Sequence, residues 1–163
     1  MTITLNTSSI DGLGSTGYAD LDYFNEGTWS PQMFTSNGSQ ASLGSASGEY
    51  TRIGDSVFIY GKIENIDQSD LSLYHALEVR NLPYTCDANF FGFGGVKVVY
   101  GKGSSVDTKT NWQVQVQVAT ANLRFSTITH VSGTQITAGF YIAEMIDTSD
   151  QTDFYFNATY TAV

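Results

Sequence analysis

The sequence predicts an all-β fold, a jelly-roll-like antiparallel β-sandwich, from three observations: its composition, short alternating apolar runs, and turn signals between those runs. Ten Tyr, ten Phe and two Trp sit among many Thr, Ser, Val and Gly residues. Branched and aromatic side chains suit a pleated, half-buried surface, and the small polar ones and Gly supply its turns. Only two Pro occur, so the scarcity of helix is not caused by proline. At 163 residues the chain has the size of one domain, enough to bury about two thirds of its unfolded surface.

Residues 1–27 differ from the rest. They are rich in Gly, Ser, Thr and Asp, with Ile3, Leu5, Ile10, Leu13 and Leu21 scattered among them without a sustained period. This predicts an extended N-terminal arm, tied through those apolar side chains to its own domain, a neighbouring subunit or another protein. A sandwich domain is expected over 28–163.

Strands are expected near 28–35, 49–53, 56–66, 76–81, 91–100, 111–119, 122–130, 134–144 and 153–161, the close spacing typical of a sandwich or barrel. The clearest runs from 111 to 119, where Trp112, Val114, Val116 and Val118 alternate with Gln113, Gln115 and Gln117. In 56–66, Val57, Ile59, Gly61 and Ile63 oppose Phe58, Tyr60, Lys62 and Glu64. In the last strand Phe154, Phe156, Ala158 and Tyr160 oppose Tyr155, Asn157, Thr159 and Thr161. Both faces of these two strands carry aromatic or apolar residues, which predicts a second cover and so an oligomer. The stretch 36–48 reads as a flexible loop, and 101–110 and 147–153 as polar connections.

Charge and cysteine usage exclude several classes. A formal net charge of -9 repels phosphate backbones and anionic membranes, so neither nucleic acid nor membrane is an expected partner. No apolar run approaches the roughly 20 residues needed to span a bilayer, and residues 1–10 lack the pattern of a signal peptide. Folding in the cytoplasm of the producing cell is the expectation. The single cysteine, Cys86, rules out an intrachain disulfide and is expected as a small buried hydrophobe.

Candidate chemistry is thin. Asp147, Asp150 and Asp153, spaced three apart, could gather around Ca²⁺, but they lack the alternating ligands, Gly and terminal Glu of an EF-hand loop. A solvated acidic turn is the plainer reading, and no cofactor is expected. Asp20, Asp22 and Glu26 form a second acidic group, which would serve glycoside hydrolysis only as a pair facing across a cleft. His75 and His130 have no zinc-type spacing. The run from Phe91 to Gly95 looks like a phosphate loop but lacks the following Lys-Ser/Thr and leads into a strand, so its glycines are expected to allow tight strand packing. No nucleophile elbow or triad-like order exists, and no enzyme is expected.

Two stretches resemble a known family. Asp22-Tyr23-Phe24-Asn25-Glu26-Gly27-Thr28-Trp29-Ser30-Pro31 is similar to the "D-Y-x-E-G-T-W-T-P" opening of distal domains in tailed-bacteriophage tail fibres and related virion proteins. The segment from Gly48 to Ile63, with Tyr50, Ile53, Gly54, Val57 and Gly61, is similar to that family's "G-x-Y-T-K-I-G-x-x-V-x-x-x-G-x-I" hairpin. The resemblance covers about residues 22–100 and the last strand. It implies a jelly-roll-like sandwich, commonly trimeric, with Trp29, Tyr50, Ile53, Gly54, Val57 and Gly61 as core anchors.

Two roles follow as expectations. The first is a homotrimeric capsid decoration (cement) protein on the virion surface, whose arm clamps subunits of the major capsid protein; the 27-residue arm, too short for a fibre shaft, points this way. The second is a receptor-binding tip held by another tail-fibre protein, recognising a host surface glycan or protein.

Overall fold

A computed structural model of the chain describes residues 24–72, 75–99, 112–131, 134–139 and 152–163. Ten strands are described: β1 (Phe24–Trp29), β2 (Gln32–Thr35), β3 (Leu43–Ile53), β4 (Ser56–Ile66), β5 (Leu77–Arg80), β6 (Gly92–Val99), β7 (Trp112–Val116), β8 (Leu123–Val131), β9 (Thr134–Gly139) and β10 (Thr152–Thr161). No helix occurs among the described residues. The fold is all-β, as composition and alternation predict.

All ten strands join one antiparallel sheet in the order β1-β3-β4-β10-β6-β7-β8-β5-β2, with β9 paired to β8. Its two end strands, β1 and β2, are consecutive in the chain and separated only by Ser30 and Pro31. A sheet whose ends are joined by two residues has to curl until those ends meet, which gives two facing layers from one continuous ladder. Pro31 has no N–H to give to a ladder, so the expected single strand over 28–35 breaks there and its halves pair with different neighbours, β3 and β5.

The core lies between the layers. Phe125 of β8 faces β10 across it, with ring centroids 4.9 Å from Phe154 and 5.9 Å from Phe156. Val57, Ile63, Ile66, Met33, Leu77, Val79, Val114, Val116 and Leu123 are fully buried around them. Each such side chain contributes about 1.5–3 kcal/mol through removal from water.

The family-like motif residues build one corner of this core. Gly48 and Gly61 are register partners on β3 and β4. A Cβ on Gly48 would fall inside the Trp29 indole, and one on Gly61 inside the Phe156 ring. The paired glycines thus form a hollow in which Trp29 and Phe156 pack edge to face, centroids 6.2 Å apart. The Trp29 indole N–H donates to the Tyr60 carbonyl at 3.3 Å. Tyr50 is half-buried with its ring edge-on to Tyr84 at 5.5 Å, Val57 is fully buried, and Gly54 takes φ +57° in the β3–β4 turn.

Several expectations need correction. Ile53, expected as a core anchor, is 40% exposed; it pairs with Ser56 and Phe24, so alternation puts it on the outer face with Thr51 and Glu49. Among the described residues the sheet already includes Phe24, ahead of the boundary expected at 28, because Phe24 to Gly27 pair with Ile53 to Tyr50. Leu43 to Gly48, read as loop, extends β3 along β4. Val118 falls in a turn after β7, with Ala119 at φ +55°, and so leaves the face that Val114 and Val116 share.

A candidate docking face

Alternation along β1, β3, β4, β10 and β6 sends every second side chain away from the core. The registers align these outward side chains in rows. One row runs Phe24, Ile53, Ser56, Thr161; the next runs Glu26, Thr51, Phe58, Thr159, Phe93, Gln115. Below them lie Thr28, Glu49, Tyr60, Asn157 and then Ser47, Lys62, Tyr155, Lys97.

The upper three rows set exposed aromatic side chains among Ser, Thr and Glu residues. Phe24 is 64% exposed, Phe58 46%, Tyr60 50% and Phe93 56%. Phe58 and Phe93 flank the short Thr159 side chain, two strand spacings or about 10 Å apart at the backbone. Single exposed apolar residues are ordinary, but four exposed aromatics on one side of a sheet point to an interaction surface.

Phe93 owes its position to the glycines after it. A Cβ on Gly94 would strike the Asn157 carbonyl of β10, so only glycine lets β6 approach so closely. Gly95 N–H donates to the Asn157 side-chain oxygen at 3.3 Å, a side-chain rung where the backbone register skips from Phe93 to Val96. The glycine run thus serves strand packing, as its sequence context suggests.

Phe90 and Phe91, 59% and 54% exposed, precede β6 in a pinned turn. Asn89 N–H donates to the Asp87 carboxylate at 2.7 Å, Asp87 N–H to the Thr161 carbonyl at 2.8 Å, and the Cys86 thiol to the Phe90 carbonyl at 3.1 Å. Burial pushes the Cys86 thiol above its ordinary range. A buried, protonated thiol is a poor nucleophile, so Cys86 acts here as packing and as a clasp.

The lower margin is a polar network. Lys62 pairs with Glu64 at 2.7 Å, while Ser45 and Tyr155 hydroxyls donate to the same carboxylate at 2.7 and 3.1 Å. The Lys62 hydrogen bond draws Glu64 below its ordinary value of 4.5, and Glu64 in turn holds Lys62 above 10.5.

A second charged arrangement, not foreseen from sequence, lies on β5 and β8. Glu78 is buried, its carboxylate held between two guanidiniums: Arg80 donates to one oxygen at 3.0 and 3.2 Å, and Arg124 Nε to the other at 2.8 Å. Arg80 also stacks 4.4 Å over Phe34. Every acceptor position faces a donor, so the cluster closes the outer side of these strands and presents no reactive group.

Among the described residues the remaining candidates are not brought together. Asp147 and Asp150 lie outside the described residues, and the Asp153 carboxylate accepts the Asn65 N–H at 2.9 Å. Asp20 and Asp22 also lie outside, while Glu26 stands exposed on β1. Ile3, Leu5, Ile10, Leu13 and Leu21 fall outside the described residues as well. His75 precedes β5 and His130 lies in β8. Among the described residues no three His, Cys, Asp or Glu side chains gather as a metal site, and no helix is long and apolar enough to cross a membrane. A shallow open groove is lined by Gln32, Gln40, Ala41, Ser42 and Leu43.

No family model, curated protein or solved structure matches this chain. Its chemistry therefore has to be read from the face itself. That face is an open sheet surface with exposed aromatic and charged side chains, which suits a protein surface better than a small ligand, since small ligands bind in concave sites.

Proposed function

We propose that the chain is a bacteriophage virion structural protein, a homotrimeric capsid decoration protein whose N-terminal arm clamps subunits of the major capsid protein. The observation that carries this reading is the exposed aromatic face with the arm joining the sheet at its edge, through Phe24. The protein then works through a broad surface and an apolar tether, the means by which a shell is reinforced. Each of Ile3, Leu5, Ile10, Leu13 and Leu21 would contribute about 1.5–3 kcal/mol if fully buried between capsid subunits, less the cost of ordering the arm. The similarity of the Trp29 and Gly48–Ile63 stretches to tail-fibre and virion domains supports a place on the particle. The acidic charge fits a protein that stays clear of the packaged nucleic acid.

A second reading has the groove of Gln32, Gln40 and Ser42 in its favour. Amide and hydroxyl groups on an open surface suit hydrogen bonding to a sugar, as a receptor-binding fibre tip would need for a host surface glycan.

Particles stripped of the protein separate the two. Purified protein should rebind at many copies per shell, and deletion of residues 1–17 should abolish rebinding. Binding to host cells with none to shells overturns decoration in favour of the tip.

A further inference from the structure

Asn37 and Gly38 form the only Asn-Gly pair in the chain, and they stand exposed at the tip of a tight turn after β2. Thr35 N–H donates to the Ser39 carbonyl and Gly38 N–H to the Thr35 carbonyl, both at 2.8 Å, while Ser36 N–H donates to the Ala76 carbonyl at 2.9 Å. The base of the turn is therefore fixed and its tip is open: Gly38 takes φ +97°, and a Cβ there would meet nothing within 4 Å. Asn37 Oδ1 accepts from the hydroxyl of the buried Thr35 and faces Ser39 N–H at 3.5 Å.

We propose that Asn37 is a self-modification site, converted to aspartate and isoaspartate through a cyclic imide closed by the Gly38 nitrogen, with the Thr35 hydroxyl assisting. The Gly38 nitrogen gives its proton to solvent base and bonds to Asn37 Cγ. Negative charge then develops on Oδ1, where the Thr35 hydroxyl already donates, so that hydrogen bond strengthens as the reaction proceeds. Nδ2 takes a proton from water and leaves as ammonia. Water next adds to either imide carbonyl. Opening the bond from nitrogen to Cγ leaves Asp at position 37; opening the bond from nitrogen to the main-chain carbonyl leaves isoaspartate, with the chain routed through Cγ. The sum is one amide and one water consumed, one carboxylate and one ammonium formed, with no other reactant.

Every other asparagine of the chain precedes a residue with a side chain, which crowds the attacking nitrogen, and Asn25 and Asn157 are also held within β1 and β10. The Gly38 N–H bond opposes the reaction, because the nitrogen must first leave the Thr35 carbonyl. Losing that bond and strengthening the one from Thr35 to Oδ1 each change the rate by about three- to tenfold, so the two offset.

Conversion acts on its surroundings. Either product adds a negative charge to a chain already at -9. Isoaspartate also lengthens the main chain by a carbon inside the turn that sets Gln40 against Phe34 and Ala41 N–H on the Met33 carbonyl at 3.0 Å. Gln40 and Ala41 line the open groove, so the change falls beside it. The reaction needs no partner and is independent of the role proposed on the particle.

Peptide mass mapping of the purified full-length chain, held for weeks in mildly alkaline buffer, reads the conversion, with a synthetic peptide covering residues 32–41 in parallel. Asn37 should be the first asparagine to become acid, as separable aspartate and isoaspartate forms, at a rate within about tenfold of the free peptide's. Thr35→Val should slow it about three- to tenfold in the folded chain, and Thr35→Ser, which keeps the hydroxyl, should convert like the wild type. Retention of Asn37 while another asparagine converts overturns the proposal, as does a folded chain slower than the peptide by more than about tenfold. So does a Thr35→Val chain that converts as fast as the wild type or faster. If Thr35→Val fails to fold, the ratio of folded chain to peptide decides.

Discussion

The two faces of the β4–β10 pair are made from similar residues and end in opposite environments. Inward, Val57, Ile59, Ile63, Phe154, Phe156 and Tyr160 are buried; outward, Phe58 and Tyr60 remain about half exposed beside Thr159 and Asn157. Both sets are aromatic-rich, so hydrophobicity alone does not tell core from contact surface. The difference lies in what faces each set. The inner side chains meet the second layer, brought around by the Ser30-Pro31 link between the sheet's ends, and no part of the described sheet folds back over the outer ones. An apolar face that the described strands leave uncovered is the feature on which the proposed assembly rests.

The largest expected effect falls on the inner face. Phe156→Ala empties the hollow over Gly61 and removes the ring that Trp29 and Phe125 pack against, which should cost about 3–5 kcal/mol in chemical denaturation. Phe58→Ala, on the neighbouring strand but pointing outward, should change the stability of dilute protein by about 0.5 kcal/mol or less. Equal losses from the two substitutions would erase the distinction between the faces.

Smaller, but still beyond an ordinary surface change, is Glu78→Ala. It leaves Arg80 and Arg124 facing each other without the carboxylate. Breaking a buried pair costs about 3–5 kcal/mol, and the partial exposure of both arginines lowers the expectation to about 2–3 kcal/mol. Urea unfolding of the variant measures this, and replacing all three residues by apolar ones should recover part of the loss.

The smallest effect belongs to the outer polar margin. Glu64 is held below its ordinary 4.5 chiefly by the Lys62 hydrogen bond, so its contribution is complete above that value and is lost as pH falls through the lowered one. Lys62, held above 10.5, contributes below that value and loses the contribution as pH rises through the raised one. Melting temperature should therefore be flat for this network through neutral pH. Below the ordinary carboxylate range the wild type should lose slightly more than Glu64→Gln. A wild type and variant that lose stability in parallel on acidification would show the network contributes nothing.

Much of the fold was legible because alternation is a local property. The strands over 56–66 and 153–161, with their doubly apolar faces, could be read from side-chain order alone, and the glycines around Phe93 read correctly as packing. Three features were not legible. Leu43 to Gly48 looks like a loop because Gly, Ser and Ala carry little strand preference; it is a strand because Trp29 packs over Gly48 and β4 supplies hydrogen bonds. Ile53 matched a motif of apolar positions, but its face is set by its register with Ser56, which sequence order does not give. The Glu78–Arg124 contact joins residues 46 apart, through a β5–β8 pairing that depends on how the sheet curls. The candidate face was visible only as a surplus of apolar residues; its rows and charged margins needed the registers.

The inner face makes the fold, and the outer face is the one proposed to make the contact. Thermal unfolding of the wild type and of Phe58→Ser/Phe93→Ser, each measured over a hundredfold range of protein concentration, tests both halves together. Association linked to folding should raise the wild-type melting temperature with concentration. The double variant should melt at one temperature throughout, close to that of dilute wild type. A concentration-independent wild type, or a double variant already melting many degrees lower in dilute solution, would contradict the account.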